Sequence, residues 1–227
     1  MLTYSLVANS ASIQRSDGAF IPADPNNTDY ANYLAWVAAG NTPTPQPGTP
    51  LATAQQQQVT TISNACQDAI YSGFSSSALG AVYHYPALDR DQSNLAAAVF
   101  AAISAGQSTV VWVASTLCQA GMLIAANGQI NINLTKGTCG PSAPTWPSTV
   151  GTIALDGAAT WEIWTTPLWC RNQSGVWSLQ QHTSSQVQQV GQDALTARTT
   201  YQAKNAALAA QIMAATTVTA VQATVWS

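Results

Sequence analysis

The sequence predicts an α+β protein: a small N-terminal α/β module, a helix-and-hairpin body with a long C-terminal helix, and a small all-β module inserted into that body. Three observations carry this. Apolar residues recur at helical spacing over 51–72, 89–106 and 184–215. Between 108 and 164, β-branched and aromatic residues instead alternate among Gly, Asn and Pro. The Pro-rich NTPTPQPGTP (41–50) sets the first forty residues apart as an extended linker, because Pro fixes φ and has no ladder donor. The expected organisation is a module and linker over 1–47 and a first half of the body over 48–107. The β insert follows over 108–163, then the second half of the body over 164–227.

In chain order, Val59, Ile62, Cys66, Ala69 and Ile70 mark one buried face of a helix that stops at Gly73. GFSSSALGAVYHYP (73–86) reads as two short strands with a tight turn near Gly80. DRDQSNLAAAVFAAISAG (89–106) is a helix opened by an Asp or Ser and ended by Gly106, with Leu95, Val99 and Ile103 as its inward stripe. IWTTPLWCRNQSGVWSLQQHT is a hairpin turning at Asn172–Gly175, and its strands carry Trp164, Trp169 and Trp177. Thr183 or Ser184 opens the longest helix, and TTVTAVQATVWS forms one last short helix.

Along the longest helix, Val187, Val190, Ala194, Ala197, Tyr201, Leu208 and Ile212 fall near a heptad seam interrupted by Lys204. Barely four heptads with almost no flanking charges make a weak coiled coil, so packing within the helix's own domain is favoured. Self-association through Val187, Val190, Ala194, Tyr201 and Leu208 is the alternative, and Val190→Asp is then expected to reduce assembly.

Only 7% of the 227 residues are charged, against about 25% in an average soluble domain. Gln, Ser, Thr and Asn supply the polarity. Six basic against nine acidic residues leave net charge -3. With no basic patch to neutralise phosphates, nucleic-acid binding is excluded. No run approaches the roughly 18 apolar residues of a membrane helix, so membrane insertion is not expected. The opening MLTYSLVANS lacks the basic and apolar regions of a secretion signal, so none is expected. Cys66, Cys118, Cys139 and Cys170 form no C-x-x-C pair and have no zinc-spaced His. They read as reduced, partly buried thiols, with a Cys118–Cys139 bridge as the alternative. No metal or cofactor is expected.

Catalysis finds little material. His84 and His182 are the only histidines, and each reads as structural, within a strand and before a helix. Asp89 and Asp91 sit at a helix start, where capping explains them better than a glycosidase pair does. Glu162, the only Glu, has no acidic partner in view. No catalytic residue is therefore assigned. Among the tryptophans, Trp161 and Trp164 read as core, while Trp112 and Trp146 are the candidate glycan or partner contacts.

SDGAFIPADPNNTDYANYLAWVAAGNTPTP (16–45) resembles an N-terminal module shared by tailed-phage tail-fibre and fibre-assembly proteins, with Asp29, Tyr30, Tyr33, Leu34 and Trp36 at its motif positions. Tyr30, Tyr33 and Trp36 read as core aromatics of one helix face. NACQDAIYSGFSSSALGAVYHYPALDRDQSNLAAAV (64–99) and WTTPLWCRNQSGVWSLQQHTSSQVQQVGQDAL (164–195) resemble the two halves of a phage tail domain of unknown function. The segment from GMLIAANGQI to DGAATW (121–161) is similar to a short β module of phage fibres, itself like small chitin-binding-type carbohydrate modules. It departs from that pattern at Ile130–Asn131–Ile132, where an aromatic platform is usual.

These resemblances imply a virion component of a phage tail, a tail-fibre or fibre-base protein serving assembly and host attachment, made in the host cytoplasm and carried on the particle. The implied partners are other tail proteins, further copies of the chain (as trimers, by the fibre resemblance) and a host surface glycan. The competing readings are a fibre-assembly chaperone absent from the finished virion and a glycan-binding module, for which Trp146→Ala is expected to abolish envelope binding.

Overall fold

A computed structural model describes residues 2–7, 10–44 and 50–227. The architecture is mixed α+β, 40% helical and 23% strand, with a long C-terminal helix. The chain divides into two compact units. One holds the residues up to Thr61 with Ala209–Val225 and Ser227; the other holds Ile62–Leu208 and Trp226.

In the first unit, β1 (Tyr4–Leu6), β2 (Ile13–Arg15) and β3 (Phe20–Ile21) form an antiparallel sheet in that order. Helix α1 (Thr28–Ala38) opens at Asn27, whose side chain accepts from the amides of Asp29 and Tyr30. Tyr4, Ile13, Ile21 and Tyr33 make the core, with Tyr30 and Trp36 against it. The aromatic face of α1 therefore packs inward as expected. Arg15 bridges Asp17 and Asp29 at 3.0 and 2.6 Å. Of the expected linker, Thr44 forms a bridge to Ser5, and residues 45–49 lie outside the described residues.

The same unit contains the first turns of α2 (Leu51–Tyr71), the end of α4 (Ser184–Ala214) and α5 (Val218–Ala223). A helix ends with carbonyls that lack intrahelical donors. Here Gln55 Nε2 lies 3.1–3.3 Å from the carbonyls of Ile212, Met213 and Ala215, and Gln58 Nε2 donates to Thr224 O at 2.7 Å. Ile212 and Val221 are fully buried beside these contacts.

The second unit begins with the rest of α2, whose Ile62 and Cys66 are buried as the periodicity requires. Gly73 follows at φ +96°, where a Cβ would meet the Tyr85 carbonyl and the His84 ring, so only glycine makes this stop cleanly. Strands β4 (Phe74–Ser76) and β5 (Tyr83–Tyr85) then pair antiparallel.

Helix α3 (Asp89–Gln107) starts one residue earlier than a cap at Asp89 would place it: Leu88 is the cap position, and Asp91 accepts from its amide at 3.2 Å. Its inward stripe is also shifted. Ala98, Ala102 and Ala105 are buried, whereas Ile103 is exposed, because small residues allow α4 to approach. At that crossing Gly191 of α4 faces Val99, whose methyl a Cβ would overlap.

Across the insert, β12 (Thr165–Arg171) and β13 (Trp177–Thr183) complete the sheet in the order β13-β12-β5-β4, with Arg171 opposite His84. Segments on either side of 108–163 thus share one sheet. Thr183 and Gln186 cap each other reciprocally, Gln186 Oε1 accepting from Thr183 N at 2.8 Å and Thr183 Oγ1 from Gln186 N at 3.5 Å. This capping box turns β13 directly into α4.

Val187 and Val190 have no exposed surface. Val187 packs with Ala98 and Ala102, and Val190 with Phe74, Tyr85 and Cys170. As candidates for an oligomer seam these two are thus corrected: they are core of their own unit, and Val190→Asp would disrupt that core before it tested assembly. Ala194 and Tyr201 line the α3–α4 side of the helix, and Leu208 is half-buried.

The insert contains β7 (Leu123–Ala126), β8 (Gln129–Asn133), β10 (Ala154–Asp156) and β11 (Ala159–Ile163) in a sheet ordered β10-β11-β8-β7. A smaller pair joins β6 (Leu117–Cys118) to β9 (Gly137–Thr138). That pairing sets Cys118 opposite Gly137, two residues from Cys139, and the two cysteines form a disulfide with Cα atoms 6.1 Å apart. The reading of four reduced thiols is corrected for this pair, since strand register brings together what 21 residues separate. Cys66 and Cys170 are free and buried, as read from the sequence.

Candidate functional site

Two buried polar centres organise the second unit. In the insert, the carboxylate of Asp156 is only 2% exposed and faces three neutral donors. Oδ2 accepts from Trp112 Nε1 at 2.8 Å and from Trp161 Nε1 at 3.0 Å, and Oδ1 accepts from Gly140 N at 2.7 Å. Trp161 is fully buried, and Trp146 packs edge-on against it with centroids 5.4 Å apart. Trp112 and Trp146, the candidate glycan contacts, are thereby both engaged by the interior of the insert, each half-buried.

In the body, His182 is fully buried. Its Nδ1 lies 2.8 Å from the Gln180 carbonyl and its Nε2 2.8 Å from the Tyr85 hydroxyl. Nδ1 must donate to the Gln180 carbonyl, whereas Nε2 meets a hydroxyl that can either donate or accept, so a neutral ring with its proton on Nδ1 satisfies both contacts. Burial pulls His182 below the ordinary imidazole range, although its bond to Gln180 works the other way. Burial likewise raises the Tyr85 hydroxyl and the neighbouring Cys170 thiol above their usual values. A thiol pushed upward in apolar surroundings is a poor nucleophile.

The other titratable candidates are engaged locally. His84 Nε2 lies 2.9 Å from the Ser72 carbonyl, Asp89 accepts from Tyr71 at 2.8 Å, and Asp91 caps α3. Glu162 stands opposite Ile132 on the insert sheet. Among the described residues no three His, Cys, Asp or Glu side chains gather as a metal site would require.

Two surfaces of the second unit present large exposed side chains. The first is a groove of about 610 Å³ along α3 and α4, walled by Phe74, Leu95, Val99, Phe100, Ile103 and Leu195, with Arg198 among its polar groups. Phe100 is 72% exposed, Leu195 53% and Ile103 43%. The second is the outer face of the β12–β13 hairpin. Strand alternation sends Cys170 and His182 inward, so Trp169, Arg171, Trp177 and Leu179 point out. Trp169 and Trp177 lie with ring planes 9° apart and centroids 6.2 Å apart.

Neither surface was assigned from the sequence. For the hairpin, the buried Cys170 between Trp169 and Arg171 was the available signal. For the groove, the alanine stripe of α3 turns its larger side chains outward, which spacing alone did not reveal.

No family model matches this chain, and neither a curated protein nor a solved structure does.

Proposed function

We propose that the chain is a structural component of a tailed-phage tail, a fibre or fibre-base part that serves virion assembly and host attachment. It is made in the host cytoplasm and carried on the particle. The groove along α3 and α4 carries the reading. Large exposed apolar side chains lining one concavity mark a surface for another protein, and Phe100, Ile103 and Leu195 line this one. Its occupant is a neighbouring chain of the tail, and self-association, as trimers, belongs to the same reading.

Three further features support it. The two histidines and the Cys170 thiol are bonded or buried in ways that leave none of the three an activated nucleophile. The disulfide of the insert suits a surface that meets an oxidising medium, as a virion exterior does. Among the described residues, no helix is long and apolar enough to cross a membrane.

Quantitative mass spectrometry of density-purified virions, referenced to the portal protein, tests the proposal. A fixed copy number per particle is expected. Absence from particles with abundance in the infected-cell lysate would make the chain an assembly chaperone and overturn it.

A further inference from the structure

We propose that the outer face of the β12–β13 hairpin binds an acidic saccharide, with Trp169 stacking on a pyranose ring, Trp177 holding that indole parallel from behind, and Arg171 pairing with a sugar carboxylate. The face is separate from the α3–α4 groove, so this inference does not rest on the tail reading.

Trp169 is 51% exposed and Trp177 37%, an unusual placement for the side chain with the largest apolar area to bury. The pair is also ordered. Trp177 stands directly opposite Arg171 and diagonal to Trp169, which itself faces Leu179. The Arg171 guanidinium sits 5.5 Å from the Trp177 ring centre, and His84 meets the same ring edge-on at 6.0 Å. Trp169 is aligned in turn by its parallel packing on Trp177. Rings already fixed lose little conformational freedom when a ligand arrives.

The chemistry of the face selects the ligand. An indole face matches the apolar C–H face of a pyranose, and the Gln181 amide on the same side of the sheet suits its hydroxyls. Charge decides between neutral and acidic sugars. No strand of this sheet contains an Asp or Glu. Among the described residues no carboxylate lies within ion-pair distance of Arg171, although the chain as a whole carries net charge -3. A planar guanidinium without an acidic partner, beside stacked indoles, complements a carboxylate by a paired hydrogen bond.

The test titrates the full chain with hexagalacturonate and a hyaluronan hexasaccharide, using cellohexaose as the neutral control, and follows tryptophan fluorescence and heat of binding. The carboxylate sugars are expected to bind, less tightly as salt is raised. Trp169→Ala and Arg171→Gln should each weaken binding about tenfold or more, with unchanged unfolding midpoints. Trp169→Phe keeps a ring and should retain most of the affinity. Failure of both acidic sugars to bind would overturn the proposal. So would equal binding of cellohexaose with no effect of Arg171→Gln. Loss of self-association in Trp169→Ala without saccharide binding would assign the face to a protein partner instead.

Discussion

Trp161 donates its indole N–H to Asp156 across the tight turn that joins β10 to β11, five residues apart in sequence and 3.0 Å apart in space. Trp112 supplies the second indole from outside that hairpin, and Gly140 supplies an amide from the segment behind the disulfide. One carboxylate thus ties three separated stretches of the insert together. Removing it would leave three donors without their acceptor, and buried donors left unpaired each cost about 1–3 kcal/mol.

Asp156→Ala is therefore expected to destabilise the second unit by about 3 kcal/mol or more. Asp156→Asn should fall between, since it keeps one acceptor oxygen but turns an amide toward the remaining donors. Urea unfolding followed by tryptophan fluorescence measures both. An Asp156→Ala variant as stable as the parent would show that this centre does not hold the insert.

The Cys118–Cys139 bridge closes a loop with a sequence separation of 21 residues. In the chain-entropy view, a loop of this size is worth about 3 kcal/mol. Reduction, or the pair Cys118→Ser with Cys139→Ser, should lower the stability of the insert by that order and leave α3–α4 packing intact. Hydrogen exchange resolves the two regions separately. The expected pattern is loss of protection over 117–163 with little change at Val187 and Val190.

His182 makes stability depend on pH with a definite sign. Its folded value lies below the ordinary one because of burial, so the unfolded chain binds a proton more readily. The contribution of a neutral His182 is complete above about pH 6.5. It declines as pH falls from there toward the folded value, by up to about 1.4 kcal/mol per pH unit. The ring resonances of His182 should stay in the neutral form through pH 6.5, and His182→Gln should flatten the slope of stability between pH 6.5 and 5. A His182 ring that titrates near 6.5 in the folded chain would contradict this.

Much of the fold was legible because local signals agreed with one another. The opening of α4 at Thr183 or Ser184, the stop at Gly73 and the aromatic spacing of Tyr30, Tyr33 and Trp36 all name their structures directly. What was not legible depended on register and on size. Nothing in the spacing of Cys118 and Cys139 says that β6 pairs with β9, and that pairing is what joins them. Ile103 is more hydrophobic than Ala102, yet the closeness of α4 at Gly191 makes the smaller residue the buried one.

The same limit applied to the sites. Composition finds tryptophans but does not tell an indole that serves a buried carboxylate, such as Trp112, from one left on a sheet face, such as Trp169. The heptad-like spacing of Val187 and Val190 is real, but it is satisfied inside the chain. A period of apolar residues identifies a packed face without naming what packs on it.

The groove gives the tail reading its sharpest test, because Phe100 is exposed and its replacement should leave the fold alone. Surface changes away from special features usually shift stability by less than about 0.5 kcal/mol. Copies of the chain per virion should be counted for the parent and for Phe100→Asp, produced to equal levels in infected cells. The expected result is a fixed number of parent copies and a loss of about tenfold or more for the folded variant, because a charge in an apolar contact is left unpaired. Equal incorporation of Phe100→Asp would contradict docking through the groove, and absence of the parent chain from particles would contradict a tail component altogether.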